Sequence, residues 1–157
     1  MTTPTRAAGS RSRGFTLIEL LIALAVVAIL VRIAFPSYQA YIVRSSRQAA
    51  QSELVALANA QERIFLNSNS YTGKVTSPYN GQSTGGLGVP DLNDVVDAAS
   101  VDPGKSKDSR YTFSVAGTAT TFTLTATPTG AQYAGDPLPL TISETGQRKW
   151  GTSGKTW

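Results

Sequence analysis

The 157-residue chain carries 14 Lys and Arg against 10 Asp and Glu, a formal charge of +4, and 41% of it is hydrophobic. It contains no cysteine and no histidine, which excludes disulfides, Cys/His zinc sites, thiolate nucleophiles and histidine general bases. The length holds one ordinary domain plus a long helix, and the sparse charge argues against a disordered polyelectrolyte.

Arg6, Arg11 and Arg13 lie before Phe15, with no acid among them. With these three set aside the rest is close to neutral and offers little sequence-independent attraction for nucleic acid. From Phe15 to Val31 almost every residue is apolar, and these 17 residues would rise about 26 Å as a helix. Continued through Ile33, Ala34 and Phe35, the segment matches a hydrocarbon core of about 30 Å, with Arg32 snorkelling to an interface. The leading arginines place the preceding flank in the cytoplasm; Arg32, Arg44 and Arg47 beyond the run weaken that asymmetry. The residues "VRIAFPSYQAY" fit poorly to the small-residue cleavage site of a secretory signal. Glu19 stands inside the run, where an unpartnered carboxylate costs about 2.5–3.5 kcal/mol.

After Pro36 the apolar character becomes one-sided. Leu54, Leu57, Ala58, Gln61, Ile64 and Phe65 recur at helical spacing and form a stripe that must pack on something. A helix is therefore expected from about Phe15 to Leu66, bent at Pro36 and stopped over residues 67–70. Tyr38 and Tyr41 suit a membrane–water interface or packing against a head.

Between Tyr71 and Arg110 the pattern dissolves into the Gly-, Ser- and Pro-rich stretch "VTSPYNGQSTGGLGVPD", read as a connecting loop. "LNDVVDAA" suggests a short helical turn with Asp91 as N-cap. The spacing of Asp91, Asp94, Asp97 and Asp102 matches no oxygen-ligand loop, so they read as solvated acids, and no metal or cofactor is expected. Beyond Arg110, Tyr111, Phe113 and Val115 alternate with polar residues, as do Phe122, Leu124 and Ala126 across the turn "AGTATT". Leu138, Leu140 and Ile142 give a third strand, turned at "SETGQ". The fold class is α+β, with the amphipathic helix half covering a small antiparallel sheet. Ser, Asp and Lys are present without a positioned base, so no catalytic constellation is read and the chain is not expected to be an enzyme.

"RGFTLIEL" resembles the processing signal of type IV prepilins, and "FPSYQAYIVRSSRQAAQSEL" and "YTFSV…TFTLTATPTGAQ…LPLTISETGQ…W" are similar to type IVa-like pilins of Gram-negative bacteria. The resemblance implies a leader over residues 1–14, cut between Gly14 and Phe15 by a prepilin peptidase, and N-methylation of Phe15. It implies a filament-core half over 15–35, an amphipathic half over 36–67, a globular head over 68–157, and a kink at Pro36 near a region that loosens in the filament. It makes Glu19 an assembly residue, pairing with the Phe15 amine of a neighbouring subunit. Implied partners are other pilin subunits, the peptidase and the inner-membrane assembly machinery, with storage in the inner membrane before export as a filament. Adhesion, twitching motility or DNA uptake would follow. Members of the group carry two cysteines whose matching places here are near Pro137 and at Thr156, so the loop they close is not covalent in this chain.

Two alternatives share the amino-terminal block: a type II secretion pseudopilin, and a minor pilin that binds DNA or surfaces. "PSYQAY" and "LTISETG…W" favour a pilus subunit over a pseudopilin. For the binding module, Lys105, Lys107, Arg110, Arg148, Lys149 and Lys155 form a patch if folding gathers them, and are solvated side chains otherwise.

Overall fold

A computed structural model describes residues 15–89, 104–151 and 155–157. Helix α1 runs without interruption over Leu17–Ser68, 52 residues, with Pro36 inside it. Five strands follow: β1 (Gly104–Lys105), β2 (Tyr111–Gly117), β3 (Phe122–Pro128), β4 (Leu140–Ser143) and β5 (Arg148–Trp150), with the short helix α2 (Gly130–Gly135) between β3 and β4. The chain divides into two units, Met1–Gln39 and Ala40–Trp157. The proposed turn over "LNDVVDAA" and the cluster Asp91, Asp94, Asp97 and Asp102 lie outside the described residues.

In the first unit every described residue is exposed, including Phe15, Leu17, Ile18, Ile29 and Ile33. A helix apolar on all sides has no face to spend on solvent; it is built for lipid or for other helices. This is the one helix among the described residues long and apolar enough to cross a membrane.

In the second unit α1 carries an apolar stripe that the head buries. Ala50, Leu54, Leu57, Ala58 and Ile64 are buried in one cluster with Tyr111, Phe113 and Val115 of β2, Phe122, Leu124 and Ala126 of β3, and Leu140 and Ile142 of β4. The helical period of the first set and the two-residue period of the others are the geometric condition for a helix to lie on one face of a sheet. Phe65 is half-exposed and stacks on Tyr71 at 4.6 Å between ring centroids, and Tyr71 meets Phe122 edge-on at 4.7 Å.

The sheet is an antiparallel meander in the order β1-β2-β3-β4-β5. Two tight turns set its register. Thr118 N–H donates to Thr121 O at 2.9 Å to close the β2–β3 hairpin. A Cβ on Gly117 would lie 2.1 Å from Thr121 O, so only glycine fits there. Between β4 and β5, Gly146 takes the left-handed conformation at φ 75°, and Ser143 N–H reaches Gln147 O at 3.1 Å.

Two polar side chains inside the core hold irregular backbone. Gln61 is fully buried; its Nε2 donates to Thr72 O at 2.7 Å and its Oε1 accepts from Thr72 N–H at 3.0 Å. One amide thus satisfies both backbone groups of a loop residue that the sheet cannot reach. Gln132, on α2, donates from Nε2 to Val43 O at 3.1 Å and to the Tyr111 hydroxyl at 2.9 Å, tying α1, α2 and β2 together.

Burial pushes the Tyr111 hydroxyl up to about 12; the Gln132 amide bond pulls it down and the nearby Asp136 carboxylate pushes it further up. The unfolded phenol titrates near 10. The folded state therefore holds its proton more tightly, and the stability this supplies is intact below about pH 10 and lost as pH rises toward 12. Chemical denaturation followed by tryptophan fluorescence should show stability falling between about pH 10 and 12, with a shallower fall in Tyr111→Phe.

Candidate functional site

Three places concentrate chemistry: the start of α1, the corner joining α1 to β5, and the two edges of the sheet. At the first, Thr16 precedes the helix and its Oγ1 accepts from Glu19 N–H at 3.3 Å. Thr-x-x-Glu at these positions is the pattern of a capping box, and Glu19 is the acid in the first turn, where the helix dipole favours negative charge. Phe15 and Glu19 are both exposed. Gly14 lies outside the described residues.

The second place is a noncovalent clasp. Arg47 on α1 donates from Nη1 to Asp136 Oδ2 at 2.7 Å, the one ion pair among the described residues. Its guanidinium lies 4.1 Å from the centroid of the Trp150 ring. Trp150 in turn donates its indole N–H to Asp136 Oδ1 at 3.3 Å. The triangle joins residues separated by 89 positions and is mostly buried, with side-chain exposures of 20% for Arg47 and 7% for Asp136. Asp136 sits beside Pro137, near which the resemblance places one of the group's two cysteines.

The other matching place, Thr156, sits in a segment that covers β5. Trp150 N–H donates to Lys155 O at 2.7 Å, and the Trp157 indole N–H donates to Lys149 O at 2.9 Å. Arg148 lies over the Trp157 ring at 5.2 Å and Lys155 Nζ is 5.7 Å from the Trp150 centroid. An open groove of about 360 Å³ runs beside this corner, lined by Gln48, Gln51, Ser52, Val55, Arg148 and Trp157.

The third observation concerns the six basic residues. The fold divides them: Lys105, Lys107 and Arg110 lie at the β1 side, whereas Arg148, Lys149 and Lys155 lie at the β5 side. The edges are four strand spacings apart, roughly 19 Å. The two groups also differ electrically. Lys107 N–H donates to the Glu53 carboxylate at 3.5 Å, and burial pushes Glu53 upward against the pull of Lys107. Asp108 is held below the usual carboxylate range by hydrogen bonds from Ser106, Ser46 and the Arg110 N–H and by the Arg110 charge, which outweigh its burial. At the β5 side no carboxylate lies within ion-pair distance of Arg148, Lys149 or Lys155 among the described residues.

A helix exposed along its apolar half and packed by its other half on a small antiparallel sheet defines the pilin architecture. Residues 36–137 match the family model described as "Type IV minor pilin ComP, DNA uptake sequence receptor", and residues 9–34 match the "Prokaryotic N-terminal methylation motif". The chain belongs to the type IV pilins, in the family which the first of these models describes. Among curated proteins it is 42% identical over 62 residues to "Type IV major pilin protein PilA" of Myxococcus xanthus, covering 40% of this chain and 28% of that one. It is 37% identical over 101 residues to a "Type IV major fimbrial protein FimA" of Dichelobacter nodosus, covering 64% and 60%. A "Fimbrial protein" of Neisseria meningitidis serogroup B is 42% identical over 69 residues, covering 41% and 38%. The chain spans less than half the length of the first curated relatives it matches.

The clasp makes a direct prediction. Asp136→Ala strands the Arg47 charge and the Trp150 N–H in a mostly buried corner, so urea denaturation should show a loss of about 2–3 kcal/mol. A change below about 0.5 kcal/mol, the range of ordinary surface substitutions, would show that the corner is held by packing alone.

Proposed function

We propose that this pilin is a filament subunit of a type IV pilus, cut between Gly14 and Phe15, N-methylated at Phe15, and polymerised through residues 15–35. The observation that carries the reading is the first unit of the structure, an apolar helix with every described residue exposed and an acid in its opening turn. Cleavage by a prepilin peptidase at the cytoplasmic face creates an amine at Phe15. Inside a bundle of such helices, Glu19 of one subunit meets the Phe15 amine of the next. Each group alone is costly in a dry interior, and the pair offsets that cost only in one stagger, which makes it a register device rather than a source of stability. Before assembly the helix anchors the chain in the inner membrane, head outward, where the assembly machinery draws on it. The subunit needs no catalytic group of its own, because polymerisation breaks and makes no covalent bond.

Mass spectrometry of purified surface filaments should find this chain beginning at methylated Phe15. Glu19→Val should leave cleavage and membrane insertion intact and reduce filament yield severely. Normal filaments built from that variant alone would sink the register role.

A second reading, DNA uptake, is favoured by the description of the matching family model. The β5 side supports it: Arg148, Lys149 and Lys155 stand among Trp150 and Trp157, a cationic and aromatic surface that the acids near Lys107 and Arg110 do not offset. Neutralising these three together should weaken duplex binding and lower the slope of log affinity against log salt by about three. The same change at Lys105, Lys107 and Arg110 should do much less; equal effects at both edges would refute the assignment.

A further inference from the structure

The outer face of the sheet follows from the register. The inner face holds Tyr111, Phe113, Val115, Phe122, Leu124, Ala126, Leu140 and Ile142, all buried. The alternate positions carry Thr112 and Ser114 on β2, Thr123, Thr125 and Thr127 on β3, and Thr141 and Ser143 on β4. Strand pairing aligns them in rows: Lys105, Thr112 and Thr127; Ser114, Thr125, Thr141 and Lys149; Ala116, Thr123 and Ser143. The interior of this face is hydroxyl-bearing and uncharged, no carboxylate occupies any of these positions, and a lysine closes it at each edge.

Strand propensity explains threonine in a strand but not the lack of charge. Solvated surfaces ordinarily mix both signs, about a quarter to a third of their residues being charged. An array of hydroxyls gives up water at a cost, so a partner must return the lost hydrogen bonds, which an apolar surface does not do. The charge distribution narrows the partner further. The edge strands carrying Lys105 and Lys149 are about 19 Å apart, a span over which duplex DNA presents about ten phosphates. Two cations match a polymer with carboxylates spaced widely among hydroxyls. The rows also step by about 4.8 Å from strand to strand, close to the length of one pyranose unit.

We propose that the outer face of the sheet binds a lightly charged acidic polysaccharide lying across the strands. Sugar hydroxyls meet the Thr and Ser rows, and carboxylates meet Lys105 and Lys149. The proposal rests on the sheet face alone and does not require filament assembly.

The test uses the full chain in detergent micelles, with immobilised hyaluronan as the probe and dextran as its uncharged counterpart. The chain should be retained on hyaluronan more strongly than on dextran. Thr125→Val with Thr141→Val, which keeps shape and strand propensity, should weaken retention about tenfold while circular dichroism stays unchanged. Lys105→Ala with Lys149→Ala should abolish the preference over dextran. Absence of retention, or retention unchanged in both double variants, would overturn the proposal. Since no filament is present, a failure of the polymerisation reading leaves this outcome unaffected.

Discussion

Burial of the stripe from Ala50 to Ile64 against the inner face of the sheet is the contact on which the head depends. A two-residue β1 and a three-residue β5 have little stability of their own, and even the longer strands need a cover over their apolar side. The helix provides it. In return the sheet removes from water the apolar stripe on the second half of α1. One helix thus serves two environments, and the boundary shows in burial: residues 15–41 are all exposed, and the first buried position is Ser46.

Corner contacts then complete what the stripe begins. The resemblance to type IVa-like pilins implies a covalent bridge between places that match here near Pro137 and at Thr156. Here an ion pair, a cation–aromatic stack and two indole hydrogen bonds occupy the same corner. A disulfide acts largely by limiting the unfolded chain, contributing about 2–4 kcal/mol. The clasp acts only in the folded state, so it adds no constraint before folding and is insensitive to reducing agents.

Much of this architecture is legible in the residues themselves. The spacing of Leu54, Leu57, Ala58, Gln61, Ile64 and Phe65 identifies a helix face; the first five are buried and Phe65, at its edge, is half-exposed. Alternation over Tyr111–Val115 and Phe122–Ala126 identifies β2 and β3 for the same reason, since a repeated period records a repeated environment. The expected end of α1 near Leu66 lies two residues from the observed Ser68. β1, β5 and α2 give no such signal, being too short for a period to repeat. Nor does sequence show that Arg47, Asp136 and Trp150 meet, because each is a single polar or aromatic residue in an unrelated segment. The division of the basic residues between two edges is likewise a product of strand order, which the chain does not spell out locally.

The hydrogen bonds that Lys155 and Trp157 make to β5 have a consequence for crowding. An open strand edge offers unpaired N–H and C=O groups to any passing strand, and identical chains held side by side are the most favourable partners. If subunits associate through the helix, as proposed above, a sticky sheet edge would be a second association surface with a different geometry. With Trp150 N–H already engaged by Lys155 O from within the same chain, that route is narrowed at the β5 edge. The segment ending at Trp157 thus shields part of that edge from strand addition.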